Sequence, residues 1–409
     1  MRKALLAVLF ASCPILTNVT AVSADTKSDP VGDYIVVLDS DQNVQTVASD
    51  HAHAYAASVT HMYSHALRGY AARMTRSQAA AVAADDRVRW VQPDGVAKIS
   101  THVQTFPTGI NRVDAETSPT ARVNGVNEPM DVDVAVIDTG VDLDHPELNV
   151  YVDGARNCST GTSADDGHGH GTHVAGTVAA KDNLHGVIGV APGARIWPVR
   201  VLNDRGFGSF SQIICGIDFV TANADQIEVA NMSLGGFGTD DGACGTVNGD
   251  AMHQAICASV ASGVTYVVAA GNDHDDATNH IPAAYDEVIT VSALADFDGF
   301  PGGSGRPTCR LDVDDTIANF SNFGADIDLI APGTCILSTW KGGRFATISG
   351  TSMASPHVAG GAALYKVTHP TALPAEVKST LRNAGTLNWS WPAGDTDGVQ
   401  EPLLNVATL

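Results

Sequence analysis

Apolar and polar positions along the 409 residues change rhythm near residue 100. Before that point, β-branched runs at 34–38 (YIVVL) and 87–91 (RVRWV) bracket two alanine-rich stretches, 47–59 and 77–84. The runs predict strands and the stretches predict helices, which together make a small α+β unit from about residue 33 to 99. Residues 100–109 carry no period and read as a linker and cleavage zone. Beyond them, apolar runs at 132–137, 195–199, 229–232 and 265–269 alternate with helical patterns at 173–180, 211–222 and 250–262. These runs are continuous rather than alternating, as strands buried on both faces of a parallel sheet require. The larger part is therefore expected to be a doubly wound, mostly parallel α/β domain. Such sheets bind ligands outside the carboxyl ends of their strands, so polar residues that close strands come first for inspection.

Charge narrows the partners. The formal net charge is -22, and the imbalance lies beyond residue 100, where 36 acidic residues face 14 basic ones; the first hundred residues balance. Nucleic acid and anionic membranes need a basic patch, so neither is an expected partner. The acidity fits solubility in a salty or harsh medium, and some carboxylates are expected to hold calcium. Arg2 and Lys3, the apolar run 4–16 and Val22-Ser23-Ala24 follow the order of a secretory signal peptide, with cleavage expected after Ala24 and a secreted product. Losing that leader removes Cys13 and leaves Cys158, Cys215, Cys244, Cys257, Cys309 and Cys335, an even set for an oxidising compartment. Six cysteines allow 15 connectivities. Sequential pairing is the expectation, led by the short Cys244 to Cys257 loop.

Four stretches carry chemistry. The first strand of the larger part ends at Asp138, in VAVIDTGVDLDHPEL. Asp166-Gly-His-Gly-His-Gly-Thr-His173 leaves bare backbone around His170 just before an apolar helix. Histidines so close could also hold a metal, but the spacing does not set all three on one helical face. A third strand runs into Ala269-Ala270-Gly271-Asn272, where an amide can donate to a developing oxyanion. Ser352 opens a small-residue helix in GTSMASPHVAG, with the positive end of the helix dipole at hand. Singly, each is a turn former or a cap. Together they supply nucleophile, base, orienter and oxyanion donor.

Asp138-Thr139-Gly140, His170-Gly171-Thr172-His173-Val174-Ala175-Gly176 and Gly350-Thr351-Ser352-Met353-Ala354-Ser355-Pro356 resemble the three motifs of the subtilase (subtilisin-like) serine peptidases, in that family's chain order. The resemblance runs over residues 110–409. It implies a secreted serine endopeptidase in which Asp138 orients His170, His170 takes the Ser352 proton, and Asn272 holds the oxyanion. It also implies that Gly206-Phe207-Gly208 forms an edge strand for an extended polypeptide substrate, with Ser233-Leu234-Gly235-Gly236 on the other side. Phe210, Ile213 and Leu234 would line an apolar pocket for the fourth residue before the cut. Ala269, Ala270 and Gly271 would wall the first pocket, with Asn279 and His280 near its base and Asp273 at its rim. YIVVL, HMYSHALRGYAARM and RVRWVQPD resemble the inhibitory propeptide of such enzymes. The expected organisation is a signal peptide at 1–24, a propeptide at 25–101 that inhibits in cis until cut between Ala97 and Gln104, and a monomeric catalytic domain at 102–409. Residues 181–187 resemble a subtilisin calcium loop, which implies Asn183 by its side chain, Lys181, His185 and Val187 by their carbonyls, and Glu147 as carboxylate. A catalytically silent binding protein is the alternative, and no triad position is substituted in its favour.

Overall fold

The computed structural model describes residues 29–95, 104–391 and 398–409; the expected leader at 1–24 and residues 97–103 of the span where the cut is expected fall outside them. The chain divides into two compact units after Ser100.

The smaller unit is a four-stranded antiparallel sheet in the order Ser58–Tyr63, Gly69–Thr75, Val31–Leu38, Val88–Pro93, with helices Val44–Tyr55 and Arg76–Ala83. Two of these strands escape the hydropathy pattern. The first helix starts where Asn43 accepts the Thr46 amide and stops at Ala56, whose φ is +54°, so residues 58 and 59 belong to a strand rather than to a helix reaching 59. Gly69–Thr75 is alanine-rich and a poor strand former by composition. Pairing with Val31–Leu38 overrides that preference, and a Cβ at Gly69 would sit 2.2 Å from the Val36 carbonyl. Val36, Leu38, Val47, Tyr70, Met74 and Val82 close its core.

The larger unit is built on a nine-stranded sheet whose central order is Ile289–Ala295, Thr265–Ala269, Val229–Met232, Asp133–Asp138, Arg195–Arg200, all parallel. Side chains alternate between two cores. Val134 and Val136 face Val174, Val178, Met353 and Val358 on one side, and Ala135 and Ile137 face Ile213, Ile217, Met252 and Ile256 on the other. Both faces are covered by helices, hence the continuous apolar runs. Strand order reverses between Asp133–Asp138 and Val229–Met232, and the carboxyl ends there bring Asp138 and Ser233 to one edge. The helix Thr351–Thr368 runs through the first core, which it can do because its face is small; a Cβ at Gly360 would meet Val190 at 2.5 Å.

Disulfides join Cys158 to Cys215, Cys244 to Cys257 and Cys309 to Cys335. On chain-entropy grounds each is worth about 3 to 4 kcal/mol.

Candidate active site

Asp138 closes its strand with no exposed surface, and its carboxylate accepts from the Thr139 amide at 2.6 Å. His170 Nδ1 lies 2.8 and 3.0 Å from the two Asp138 oxygens. The ring can reach this position because glycines flank it. A Cβ at Gly169 would strike the Trp340 ring at 2.3 Å, and one at Gly171 the Gly140 carbonyl at 2.1 Å. The helix His170–Ala179 has no cap from its preceding residue. Buried Asp166 does that work, accepting from the amides of His168, Gly169 and Thr172 and from the hydroxyls of Thr139 and Thr172. Burial alone would lower the His170 pKa; the Asp138 charge and hydrogen bond, with Asp166 further off, raise it above the ordinary value.

His173, three residues on, is a different group. Its Nε2 lies 3.0 Å from Ile336 O and 3.2 Å from Ala346 O, and burial pushes its pKa down to about 3. It is a neutral core histidine, so the three histidines of the motif do not form a metal cluster.

Ser352 is the second residue of its helix, where the amide has no intrahelical acceptor. Pro356 lacks the N–H that would bond the Ser352 carbonyl one turn back. Ser233 Oγ donates to that carbonyl instead, at 2.9 Å, while Ser352 Oγ donates to Ser233 O at 3.2 Å. Asn231 completes the knot, donating to Ser233 Oγ and accepting from Ser355 Oγ. The Ser352 hydroxyl thus points at Ser233 rather than at His170, although both residues line one cavity. Asn272 Oδ1 accepts from the Thr351 amide at 2.8 Å and hydroxyl at 3.1 Å, and Thr351 Oγ1 in turn accepts from the Gly271 amide. This fixes the carboxamide with its NH2 free of that clamp.

Two cavities share Ser352, Asn272, Leu234 and Gly235. The first, of about 320 Å³, is walled by Gly236, Ala269, Ala270 and Gly271, with His280 and Asp273 also lining it. The second, of about 430 Å³, takes His170, Gly206, Phe207, Gly208, Phe210, Ile213 and Ser233. Asn279 does not line the first cavity; it faces a separate one with Thr239 and Asp240. Residues 206–208 are not a strand. Asn203 accepts from the Arg205 and Phe207 amides and its own N–H reaches Phe207 O, which folds the segment into a turn. Sequence reading also missed Thr139, His168 and Leu202 in the second cavity, and Ile281 and Ala283 in the first. Only the short strand Gly236–Phe237, paired to His280–Ile281, signals that wall.

The 181–187 loop closes around Gln104, another residue that sequence reading passed over. Gln104 Nε2 donates to Lys181 O at 2.7 Å and Val187 O at 3.3 Å, and His185 N donates to Asn183 Oδ1. Glu147 Oε2 is buried there without a hydrogen-bond partner. A half-turn of the Gln104 amide would aim its oxygen at the same point, so the donors fit a hard cation. Lys181 Nζ lies outside the set, on Pro146 O.

The family model described as "Subtilase family" matches residues 130–403, and that described as "Peptidase inhibitor I9" matches 33–100. Subtilisin DY of Bacillus licheniformis is 38% identical over 306 residues, covering 74% of this chain and 98% of that protein. An extracellular serine proteinase of Thermus sp. (strain Rt41A) is 38% identical over 336 residues, with 81% and 74% covered. The cuticle-degrading protease of Metarhizium anisopliae is 34% identical over 367 residues, with 88% and 86% covered. The crystal structure of a cold adapted subtilisin-like serine proteinase superposes with a TM-score of 0.57 at 31% identity, over 75% of this chain and 99% of that one.

Proposed function

The chain belongs to the subtilase family of serine proteases, and from that premise we propose that it is a secreted endopeptidase whose triad is Asp138, His170 and Ser352. The observation that carries this reading is the buried Asp138–His170 pair opening on the cavity that also holds Ser352 and Asn272. In the reaction, the Ser352 hydroxyl turns from Ser233 O to His170 Nε2, which takes its proton as Oγ attacks the scissile carbonyl. The oxyanion is held by the Ser352 amide and the Asn272 NH2, both preorganised by Thr351 and the helix start. Collapse expels the amine, protonated by His170, and leaves an acyl-enzyme that water hydrolyses by the same route. The small walls of the first cavity suit large apolar side chains, and Phe210, Ile213 and Leu234 suit an apolar residue further from the cut. Residues 33–100, as an inhibitor-type unit, act as an intramolecular inhibitor removed by the enzyme itself. Secretion is supported by the leader pattern and by the extracellular relative from Thermus; no helix among the described residues is long and apolar enough to cross a membrane.

We also assign calcium to Glu147, Asn183, Gln104 and the carbonyls of Lys181 and Val187, with His185 O as the remaining expected ligand. The ion's part is structural, tying the 181–187 loop to the segment at Gln104.

Ser352→Ala tests the mechanism. It should lower kcat by about 10⁶, the scale of nucleophile loss in a subtilisin, and leave residues 33–100 attached. Labelling of the parent by a fluorophosphonate, lost in the variant, is the companion result; a processed, active variant would overturn the triad.

A further inference from the structure

Residues 296–315 join the strand Ile289–Ala295 to Thr316–Ile317 without helix or strand of their own. Segments this long inside a compact domain are uncommon and are usually functional. Burial here is inverted. Leu311 is 94% exposed, Val313 67% and Phe300 63%, whereas Asp296, Asp312, Asp314 and Asp315 are each at most 5% exposed. Carboxylates are almost never buried to this degree unless paired or holding a metal.

Hydrogen bonds from arginine account for two of them. Arg310 Nε donates to Asp312 at 2.9 Å. Arg112 donates from Nε and Nη2 to Asp315 Oδ1, and from Nη2 to Asn388 O. Arg112 Nε is also 2.7 Å from Asp296 Oδ2, yet that buried oxygen accepts no hydrogen bond, because the N–H is aimed at Asp315. One oxygen each from Asp296, Asp298 and Asp314 lies within 4.8 Å of the others. Backbone amides of Gly299, Phe300, Phe297 and Gly305 hold these carboxylates in place and bring no charge to them. The edge of one guanidinium is the positive charge found beside three converging carboxylates among the described residues.

We propose that this segment is a second calcium site, with Asp296, Asp298 and Asp314 as its carboxylate ligands. The donors are all oxygen, with no imidazole or thiolate, which excludes the softer transition metals. An irregular loop supplies carbonyls at many angles, which suits the six to eight flexible ligands of calcium better than the rigid octahedron of magnesium. The site explains why the aspartates turn in while leucine and valine turn out: the cation, not an apolar core, organises the loop.

The test uses the full chain carrying Ser352→Ala to stop self-digestion, stripped by a chelator and titrated with CaCl2 by calorimetry. Asp298→Asn, at a part-exposed position, should weaken one binding event by more than about tenfold and shrink the calcium-dependent rise in Tm. Glu147→Gln should leave that event in place and remove a different one. Asp314→Asn is the second variant and should repeat the Asp298→Asn loss. A parent that binds no calcium, or an Asp298→Asn isotherm that superimposes on the parent's, overturns the proposal.

Discussion

In the smaller unit His51 lies buried with Nε2 3.1 Å from Asp85 Oδ2 and Nδ1 2.5 Å from the Tyr70 hydroxyl; in the larger, His170 lies with Nδ1 2.8 Å from Asp138 Oδ1 and its other nitrogen toward a cavity. The carboxylates differ as much as the second nitrogens do. Asp85 is held by two Arg87 nitrogens, and those hydrogen bonds, with the His51 contact, keep it well below the usual carboxylate range. Its charge is already balanced by an arginine. Among the described residues Asp138 has no such cation, and its charged partner is the imidazole of His170. A histidine–aspartate pair is therefore not catalytic in itself. What separates the two is whether the ring's far side is closed by a core hydroxyl or left open to the cavity that Ser352 and Asn272 line.

Exchanging each aspartate for asparagine is the sharpest way to break this comparison. Asp138→Asn should lower kcat by about 10⁴ by fixing the wrong tautomer of His170. Asp85→Asn should leave kcat of the processed enzyme unchanged and instead lower the yield of folded chain. Steady-state kinetics on both variants, with residues 33–100 removed from Asp138→Asn by an added protease, decide it; a catalytic defect in Asp85→Asn would erase the distinction. Next in size is Asn272→Ala. It should cost about 10² to 10³ in kcat with KM little changed, because the amide donates only once charge develops.

The pH profile separates the two histidines of the motif helix. His170 has its pKa raised, so on the proposed mechanism it becomes unable to accept the Ser352 proton as pH falls through that raised pKa, and kcat/KM should show its acid limb there. Burial pushes His173 down to about 3 and His357, in the helix Thr351–Thr368, to about 4, so neither gives a limb in that range. They act on stability instead. The unfolded chain binds protons on both from about pH 6.5 downward while the folded chain does not, so Tm should fall steadily from pH 6.5 toward 4. An acid limb that tracks Tm rather than preceding it would tie activity to unfolding and not to His170.

Much of this was legible because it is local. The parallel strands announce themselves as continuous apolar runs, and Asp138, His170, Asn272 and Ser352 each sit in a short string where glycine or a small residue marks bare backbone. What was illegible depends on partners far along the chain. Gly69–Thr75 becomes a strand only by pairing with residues some forty positions earlier. Gln104 means nothing until it meets Lys181 and Val187, and Thr351 looks like a filler until its hydroxyl meets Gly271 and Asn272. Residues 206–208 are expected as a strand because their role toward a substrate is extended; alone, Asn203 turns the segment back on itself.

The smallest predicted effect tests how Ser352 is held in place. Pro356 leaves the Ser352 carbonyl without its helical donor, and Ser233 Oγ is the group that fills the gap. Ser233→Ala should then leave a part-buried carbonyl unpaired, costing about 1 kcal/mol of stability, and should loosen Ser352. Pro356→Ala restores an N–H one turn after Ser352. If the proline is the reason for the serine, the two changes must couple: Ser233→Ala should destabilise the Pro356→Ala protein by less than it destabilises the parent. Denaturant unfolding of the four proteins of that cycle gives the coupling directly. Strict additivity would mean that Ser233 holds Ser352 through its own carbonyl, which accepts the Ser352 hydroxyl, and not through the bond that the proline vacates.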